Sequence, residues 1–322
     1  MKANGLKKKN RALDICMNNI VWILLIVSIL IMGMFKSSFY SFGILSNILV
    51  QGTVLGMLAL AVAMVVLLGD INLCTVGTAG FSALIGVMAM KRGLPIPLAV
   101  LTILLVGGLV GLLNGLIVTK LRANAFIETL AVNLVLEGAL LAITNGNTIS
   151  QLPTTYKYIS QGKIGMFPAL PLVLFGIFII FYFLWDKTAF GRSVFAVGGN
   201  RLSAYIAGIN VNAVKVGAYA ISGLLSGLAG YLLSGYMGAV TSSFGSSYEN
   251  LCIAAAVIGG VSLTGGKGSI VGVLGGTLLL TVIQVGLAIL GIPSTMITLA
   301  GGVMIFVAVI IDSIRNIYQA GK

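Results

Sequence analysis

The chain contains no histidine. That absence removes His-based metal sites, His general bases and Ser-His-Asp triads from the chemistry it can carry. Charge is almost as scarce: 8% of residues are Asp, Glu, Lys or Arg, against about 25% in ordinary soluble domains. A soluble protein this poor in charge would have little to cover its surface. The three cysteines, Cys16, Cys74 and Cys252, are far apart, without ligand spacing, and their odd number excludes full internal pairing. No metal site and no cofactor are expected.

What is abundant is apolar surface. The composition is 58% hydrophobic, with 43 glycines, which suits helices packed closely in lipid. Apolar runs long enough to cross a bilayer fall at roughly 20–35, 46–68, 73–90, 97–119, 126–144, 167–185, 212–236, 250–263, 268–290 and 295–313. The eighth is short and the third opens on polar residues. The sequence therefore predicts an all-α polytopic membrane protein of about ten transmembrane helices. The net charge of +12 would suggest nucleic acid in a soluble protein. Here the basic residues sit mainly at the ends of apolar runs and report orientation instead. With the N-terminus inside, only Lys36, Lys91, Arg92, Lys157 and Lys163 of the 19 Lys and Arg fall outside, as the positive-inside rule requires. The expected layout is a basic cytoplasmic tail (1–19), one membrane domain (20–314) with an inside loop at about 186–211, and a cytoplasmic tail (315–322). No small-residue cleavage site follows the first apolar run, so an uncleaved first helix is expected. No long soluble domain interrupts the chain, so an energy-transducing domain would belong to another polypeptide.

Several polar or glycine-rich stretches interrupt this background. The segment Gly69-Asp70-Ile71-Asn72-Leu73-Cys74-Thr75-Val76-Gly77-Thr78 puts a carboxylate, an amide and hydroxyls between two apolar runs. Such groups are costly at membrane depth unless they face protein or a water-filled path. They mark either a break between helices beside a path or a short cytoplasmic turn. Glu128 and Glu137 are nine residues apart and lie on opposite faces of one helix, so they are not an acid/base pair. Glu128, close to Lys120 and Arg122, reads as a surface salt link. Glu137 lies deeper and shares a face with Asn133; it reads either as functional or as a helix–helix hydrogen bond. Gly107, Gly111 and Gly115, then Gly223 and Gly227, then Gly268, Gly272 and Gly276 recur at four-residue spacing, the mark of close helix contacts. Gly265-Gly266-Lys267-Gly268-Ser269 resembles a phosphate loop only superficially. The motif needs Gly where Val261 stands and Ser or Thr where Gly268 stands, so this is a tight turn and the chain has no ATP site of its own.

In the inside loop, Asn200 can cap a helix of about two turns closed by Gly208. A short exposed amphipathic helix there suits insertion into a partner's groove; the alternative is a helix lying on the membrane surface.

At these residues the chain resembles the permease subunits of the ribose, xylose and autoinducer-2 type of bacterial ABC importers. The match runs through Lys120-Leu121-Arg122, Ala125-Phe126-Ile127 with Thr129-Leu130, Thr144-Asn145-Gly146, Phe190-Gly191-Arg192 and Ala196-Val197-Gly198-Gly199-Asn200. It continues in Ala207-Gly208-Ile209-Asn210-Val211, Ser226-Gly227-Leu228-Ala229-Gly230, Ala254-Ala255-Ala256-Val257-Ile258-Gly259-Gly260 and Leu263-Thr264-Gly265-Gly266-Lys267-Gly268. The resemblance implies a homodimer or a heterodimer with a related permease in the bacterial inner membrane. It also implies two cytoplasmic ATP-binding subunits and an extracytoplasmic sugar-binding protein, with no nucleic acid. By the same resemblance Gly199 to Ile209 is the coupling helix on the ATPase, with Gly199, Asn200, Arg201, Ala204, Ala207, Gly208 and Ile209 as its loop residues. The family stretch usually reads Gly-Ile-Asp-Leu-Ser-Val-Gly-Ser; here Asn72 replaces its Asp, Cys74 replaces its Ser, and Thr75 looks inserted. Glu128 stands where a small residue is more usual. These departures leave the sugar open among pentoses, hexoses and related polyols.

The expected mechanism is alternating access with no covalent chemistry in this chain, which is therefore not an enzyme. Asn72, Thr75, Thr78 and Asn133 are its candidate path residues, and the outer loop 241–250 is a candidate surface for the binding protein. The runner-up is an ion-coupled secondary sugar transporter with Glu137 or Asp70 as ion site.

Overall fold

The computed structural model describes residues 19–293 and 295–304, with Phe306 and Ile310. The tail before residue 19, with Cys16, and the tail 315–322 lie outside the described residues. The helices are α1 (Ile20–Phe35), α2 (Phe42–Val66), α3 (Thr75–Lys91), α4 (Ile96–Lys120), α5 (Ala125–Thr144), α6 (Thr154–Gln161) and α7 (Leu170–Lys187). They continue with α8 (Ala189–Gly199), α9 (Arg201–Ile206), α10 (Val211–Met237), α11 (Glu249–Ile258), α12 (Ile270–Ile289) and α13 (Thr295–Met304). A two-residue antiparallel hairpin, β1 (Lys163–Ile164) with β2 (Phe167–Pro168), precedes α7.

Every apolar run of the sequence carries a helix, yet the helices differ in reach. Six are long and apolar enough to cross a membrane: α2, α4, α5, α7, α10 and α12. The helices α1, α3 and α13 are shorter. The eighth run departs from expectation, because α11 has only 10 residues, about 15 Å of helix against a hydrocarbon core of about 30 Å. Gly259 and Gly260 (φ +86) end it, and 259–269 is a turn rather than the rest of a span. Helix starts are set by local chemistry. Ser41, Asn124 and Ser269 accept from backbone N–H groups of the first turns of α2, α5 and α12.

The centre of the bundle is α2, whose best apolar stretch is 83% buried, against 22% for α4 and α5. Two glycine seams bring neighbours against each other. A Cβ on Gly107 or Gly111 would run into the α10 backbone at Gly223, and one on Gly276 would strike Ala255 of α11. Gly272 meets Gly259 in the same way, whereas Gly268 lies in the turn before α12, under Leu67 and Val261, outside the helix contact. Four buried hydroxyls are satisfied within their own helices: Thr53, Thr277, Thr281 and Ser226 each donate to the carbonyl four residues back, at 2.8–2.9 Å. This lets these four sit in an apolar interior without stranded donors, whereas the buried Thr119 and Ser160 hydroxyls have no partner among the described residues.

The two long connections have structure of their own. In 145–166, Tyr156 is buried with its hydroxyl 2.8 Å from Ser234 Oγ. In 186–211, an additional helix, α8, not anticipated from the sequence, precedes α9.

Candidate transport site

The polar segment between α2 and α3 is a buried helix break. Gly69 (φ +77) turns the chain, and residues 70–74 have no regular structure before Thr75 restarts the helix. A break leaves backbone groups without helical partners, and neighbouring side chains supply them. Asn72 Oδ1 accepts from Cys74 N at 2.9 Å, while its Nδ2 donates to Ser222 Oγ of α10 at 3.2 Å. Ser222 Oγ in turn donates to Ala61 O of α2 at 2.6 Å. From α5, Thr129 Oγ1 accepts from Leu73 N at 3.1 Å, and Asn133 Oδ1 accepts from Gly77 N at 3.0 Å.

The four candidate path residues Asn72, Thr75, Thr78 and Asn133 are all buried in this seam. Each has a partner: Thr75 Oγ1 lies 4.0 Å from Cys252 Sγ, and Thr78 Oγ1 lies 3.1 Å from Cys74 Sγ. The seam joins α3, α5, α10 and α11. Cys74, where the resemblance leads one to expect serine, contacts a hydroxyl, that of Thr78.

Asp70 forms a charged node at the end of the bundle that carries loop 186–211. Its Oδ1 accepts from Arg201 of α9 at 2.7 Å; its Oδ2 accepts from Lys215 of α10 at 2.6 Å and from the Tyr219 hydroxyl at 3.4 Å. Lys215 is 6% exposed and Arg201 is 53% exposed. A buried ammonium is tolerated only beside a counter-charge, so Asp70 and Lys215 depend on one another. Sequence reasoning counted Lys215 as a topology charge and missed this node. Its place four residues into α10 marks Lys215 as a lysine inside an apolar span but does not identify Asp70 as its partner.

The 186–211 loop is ordered by caps. Thr188 caps α8, Asn200 Oδ1 accepts from Ser203 N at 2.9 Å, Gly208 turns at φ +81, and Asn210 Oδ1 accepts from Ala213 N at 3.0 Å. Ala204 points inward (4% exposed), whereas Leu202, Tyr205 and Ile206 project at 68%, 71% and 76%. These outward residues recur at the three- and four-residue spacing of one helical face. Gly199, Asn200, Ala207 and Gly208 are exposed and Ile209 is half-buried.

Behind α9 three backbones meet. Gly266 N donates to Leu67 O at 2.8 Å, joining the 259–269 turn to the end of α2. A Cβ on Gly198 would collide with Leu67 O, and one on Gly266 would reach Gly199 Cα at 2.5 Å. Gly265 (φ +83) and Gly266 (φ +70) supply the left-handed turn. The Gly198-Gly199 and Gly265-Gly266 motifs, far apart in sequence, are thus two sides of one contact.

Glu128 makes no ion pair among the described residues, so the surface salt link is not formed. Its carboxyl faces the amide of Asn114 on α4, and its Oε2 is buried without a partner. Glu137 accepts from Asn133 Nδ2 at 2.7 Å and meets the carboxyl of Glu249. Both glutamates line a cavity of about 510 Å³ with Ser242, Ser243 and Ser246, at the end opposite the 186–211 loop. Glu249 starts the short α11 after the 241–248 segment, outside the spanning helices; burial first, then the adjacent Glu137 carboxyl, push it up to about 7. Among the described residues no three His, Cys, Asp or Glu side chains are grouped to hold a metal.

Residues 44–308 match the family model described as "Branched-chain amino acid transport system / permease component". The chain belongs to this permease family. It is 36% identical to the ribose import permease protein RbsC of Bacillus subtilis, over 89% of this chain and 90% of that one. It is 29% identical to the galactose/methyl galactoside import permease protein MglC of Haemophilus influenzae, over 96% and 97%. With the ribose import permease protein RbsC of Escherichia coli the identity is 32%, over 90% and 92%. No solved structure matches the chain. The permease is thus a multi-pass integral membrane protein, and the relatives named here are ribose and galactose import permeases, although the family description names amino acids.

Proposed function

We propose that this permease is the membrane subunit of an ATP-binding-cassette importer for a monosaccharide or related small polyol. It crosses the bacterial inner membrane about ten times, the short α11 together with the 259–269 turn serving as the eighth passage, with both ends and the 186–211 loop in the cytoplasm, and 20–314 forms one domain. It works as a homodimer or with a related permease. Cytoplasmic ATPase subunits hydrolyse ATP, and an extracytoplasmic protein delivers the sugar at the 241–250 side.

The observation that carries this reading is α9. It presents Leu202, Tyr205 and Ile206 outward as an unpartnered apolar knob, and its first residue, Arg201, grips Asp70 in the helix break. Force applied to α9 by a partner reaches the broken segment through that ion pair, and reaches α2 through the glycine contact. The seam of Asn72, Thr75, Thr78 and Asn133 then separates to open a weakly polar path, neutral enough for a sugar to leave as readily as it binds. Relatives named for ribose and galactose support the substrate class.

One observation favours the second reading, an ion-coupled secondary transporter: Glu137 has a second carboxyl, Glu249, beside it. Asp70 is occupied by two cations and offers no open ion site. The test is a panel of labelled ribose, xylose, galactose and leucine, offered to vesicles bearing the chain with its ATPase and binding protein. Saturable ATP-dependent uptake of one of the sugars is expected; uptake of leucine alone would refute the substrate class.

A further inference from the structure

Beside the Asp70 node, at the coupling-loop end, lies a cavity of about 570 Å³, within the range of small-molecule sites. Its lining is unbalanced in charge. Arg122, Arg201 and Lys215 face it with Asp70 as the single carboxylate, and Asn124 and Asn212 add amides. Glu128 lies outside the lining, against Asn114 on the α4 side. Asp70 is already shared between Arg201 and Lys215. Arg122 has no hydrogen bond or ion pair among the described residues. It is also one of three non-glycine residues, among the described residues, held at a left-handed backbone angle, φ +54. Arg122 is a solvent-exposed part of this lining, so the site has one cation without a protein counter-charge among the described residues, and an excess of two positive charges over its carboxylate.

We propose that this cavity binds a phosphate monoester. Such a group carries close to two negative charges at neutral pH and offers three strong acceptor oxygens, which suits an arginine fork, a lysine and side-chain amides. Two sources present the same chemistry on this side of the membrane: a soluble phosphorylated sugar, the product of kinase action on imported substrate, or the headgroup of phosphatidic acid. A bound phosphate draws Arg201 from Asp70 and so loosens α9 from the helix break. Occupancy thereby acts as a brake on import. The site's sidedness and the brake rest on the importer reading; binding itself does not.

The test uses the full chain in phosphatidylcholine nanodiscs, titrated calorimetrically with inorganic phosphate and with ribose 5-phosphate against a chloride control. Saturable binding of both is expected, weakened at least about tenfold by Arg122→Gln, the loss that one charge-assisted hydrogen bond gives, and largely kept by Arg122→Lys. Doping the discs with phosphatidic acid separates the sources. Loss of phosphate binding then identifies the headgroup as occupant, and unchanged binding identifies the soluble ester. Absence of saturable phosphate binding, or equal binding by Arg122→Gln, overturns the proposal. So does an Arg122→Gln chain that keeps phosphate binding but loses its ATPase subunits, which would assign the cations to carboxylates of that partner. Because no transport is measured, failure here leaves the importer reading standing, and a failed uptake panel leaves this result intact.

Discussion

Asp70 and Arg201 are joined by a 2.7 Å ion pair across 131 positions of sequence, which ties the helix break to the 186–211 loop. The two halves of the node differ in weight. Arg201 is largely solvated, and such pairs contribute about 0–1 kcal/mol. Lys215 is buried, and removing its counter-charge costs about 3–5 kcal/mol. Arg201→Gln is therefore expected to leave the thermal midpoint in detergent nearly unchanged while reducing ATP-stimulated uptake. Asp70→Asn should lower that midpoint strongly, and Asp70→Asn with Lys215→Met should recover most of it. A stable Asp70→Asn chain would show that Lys215 does not need the pair.

The neighbouring glycines 198 and 199 separate packing from backbone freedom. Gly198→Ala forces a methyl into the Leu67 carbonyl, an overpacking that costs about 1–3 kcal/mol. Gly199 has open space where a Cβ would stand. Gly199→Ala removes backbone entropy from the unfolded chain and should stabilise by up to about 1 kcal/mol. Thermal unfolding of the two variants should shift in opposite directions; equal shifts would contradict the three-backbone contact.

Glu249 makes stability depend on pH. Its carboxyl sits at about 7 in the folded chain instead of its ordinary 4.5, so the folded state holds the proton more tightly than the unfolded one. The resulting stabilisation is complete below 4.5 and is lost as pH rises through about 7. Glu249→Gln should flatten that part of the midpoint-versus-pH curve. An unaltered slope would mean that another group titrates there.

Much of the fold was legible because apolar run length and caps are local signals. The ten runs carry helices, and Asn200 and Gly208 delimit α9 as their residue types require. The short α11 was harder to read, because 250–263 stays apolar through a turn built by Gly259 and Gly260. Long-range partners were not legible. Nothing local to Asp70 points to Lys215, and Glu137 gave no sign of Glu249, since both relations depend on how helices pack. The orientation of α9 was readable in principle. Leu202, Tyr205 and Ile206 share one face, and Ala204, which looked like a point of partner contact, packs into the core. A charge at Ala204 would therefore unfold the loop rather than test the partner.

The central claim, that α9 couples ATP hydrolysis to sugar movement, is tested most directly at Tyr205. Tyr205→Asp changes a side chain 71% exposed, so stability should change by no more than about 0.5 kcal/mol. Sugar uptake and stimulated ATP hydrolysis are measured together in vesicles containing the ATPase and binding protein. Loss of both activities, with normal membrane insertion, is the predicted result. Uptake that proceeds without ATP, follows an ion gradient and ignores the substitution would contradict the account and make α9 a surface loop.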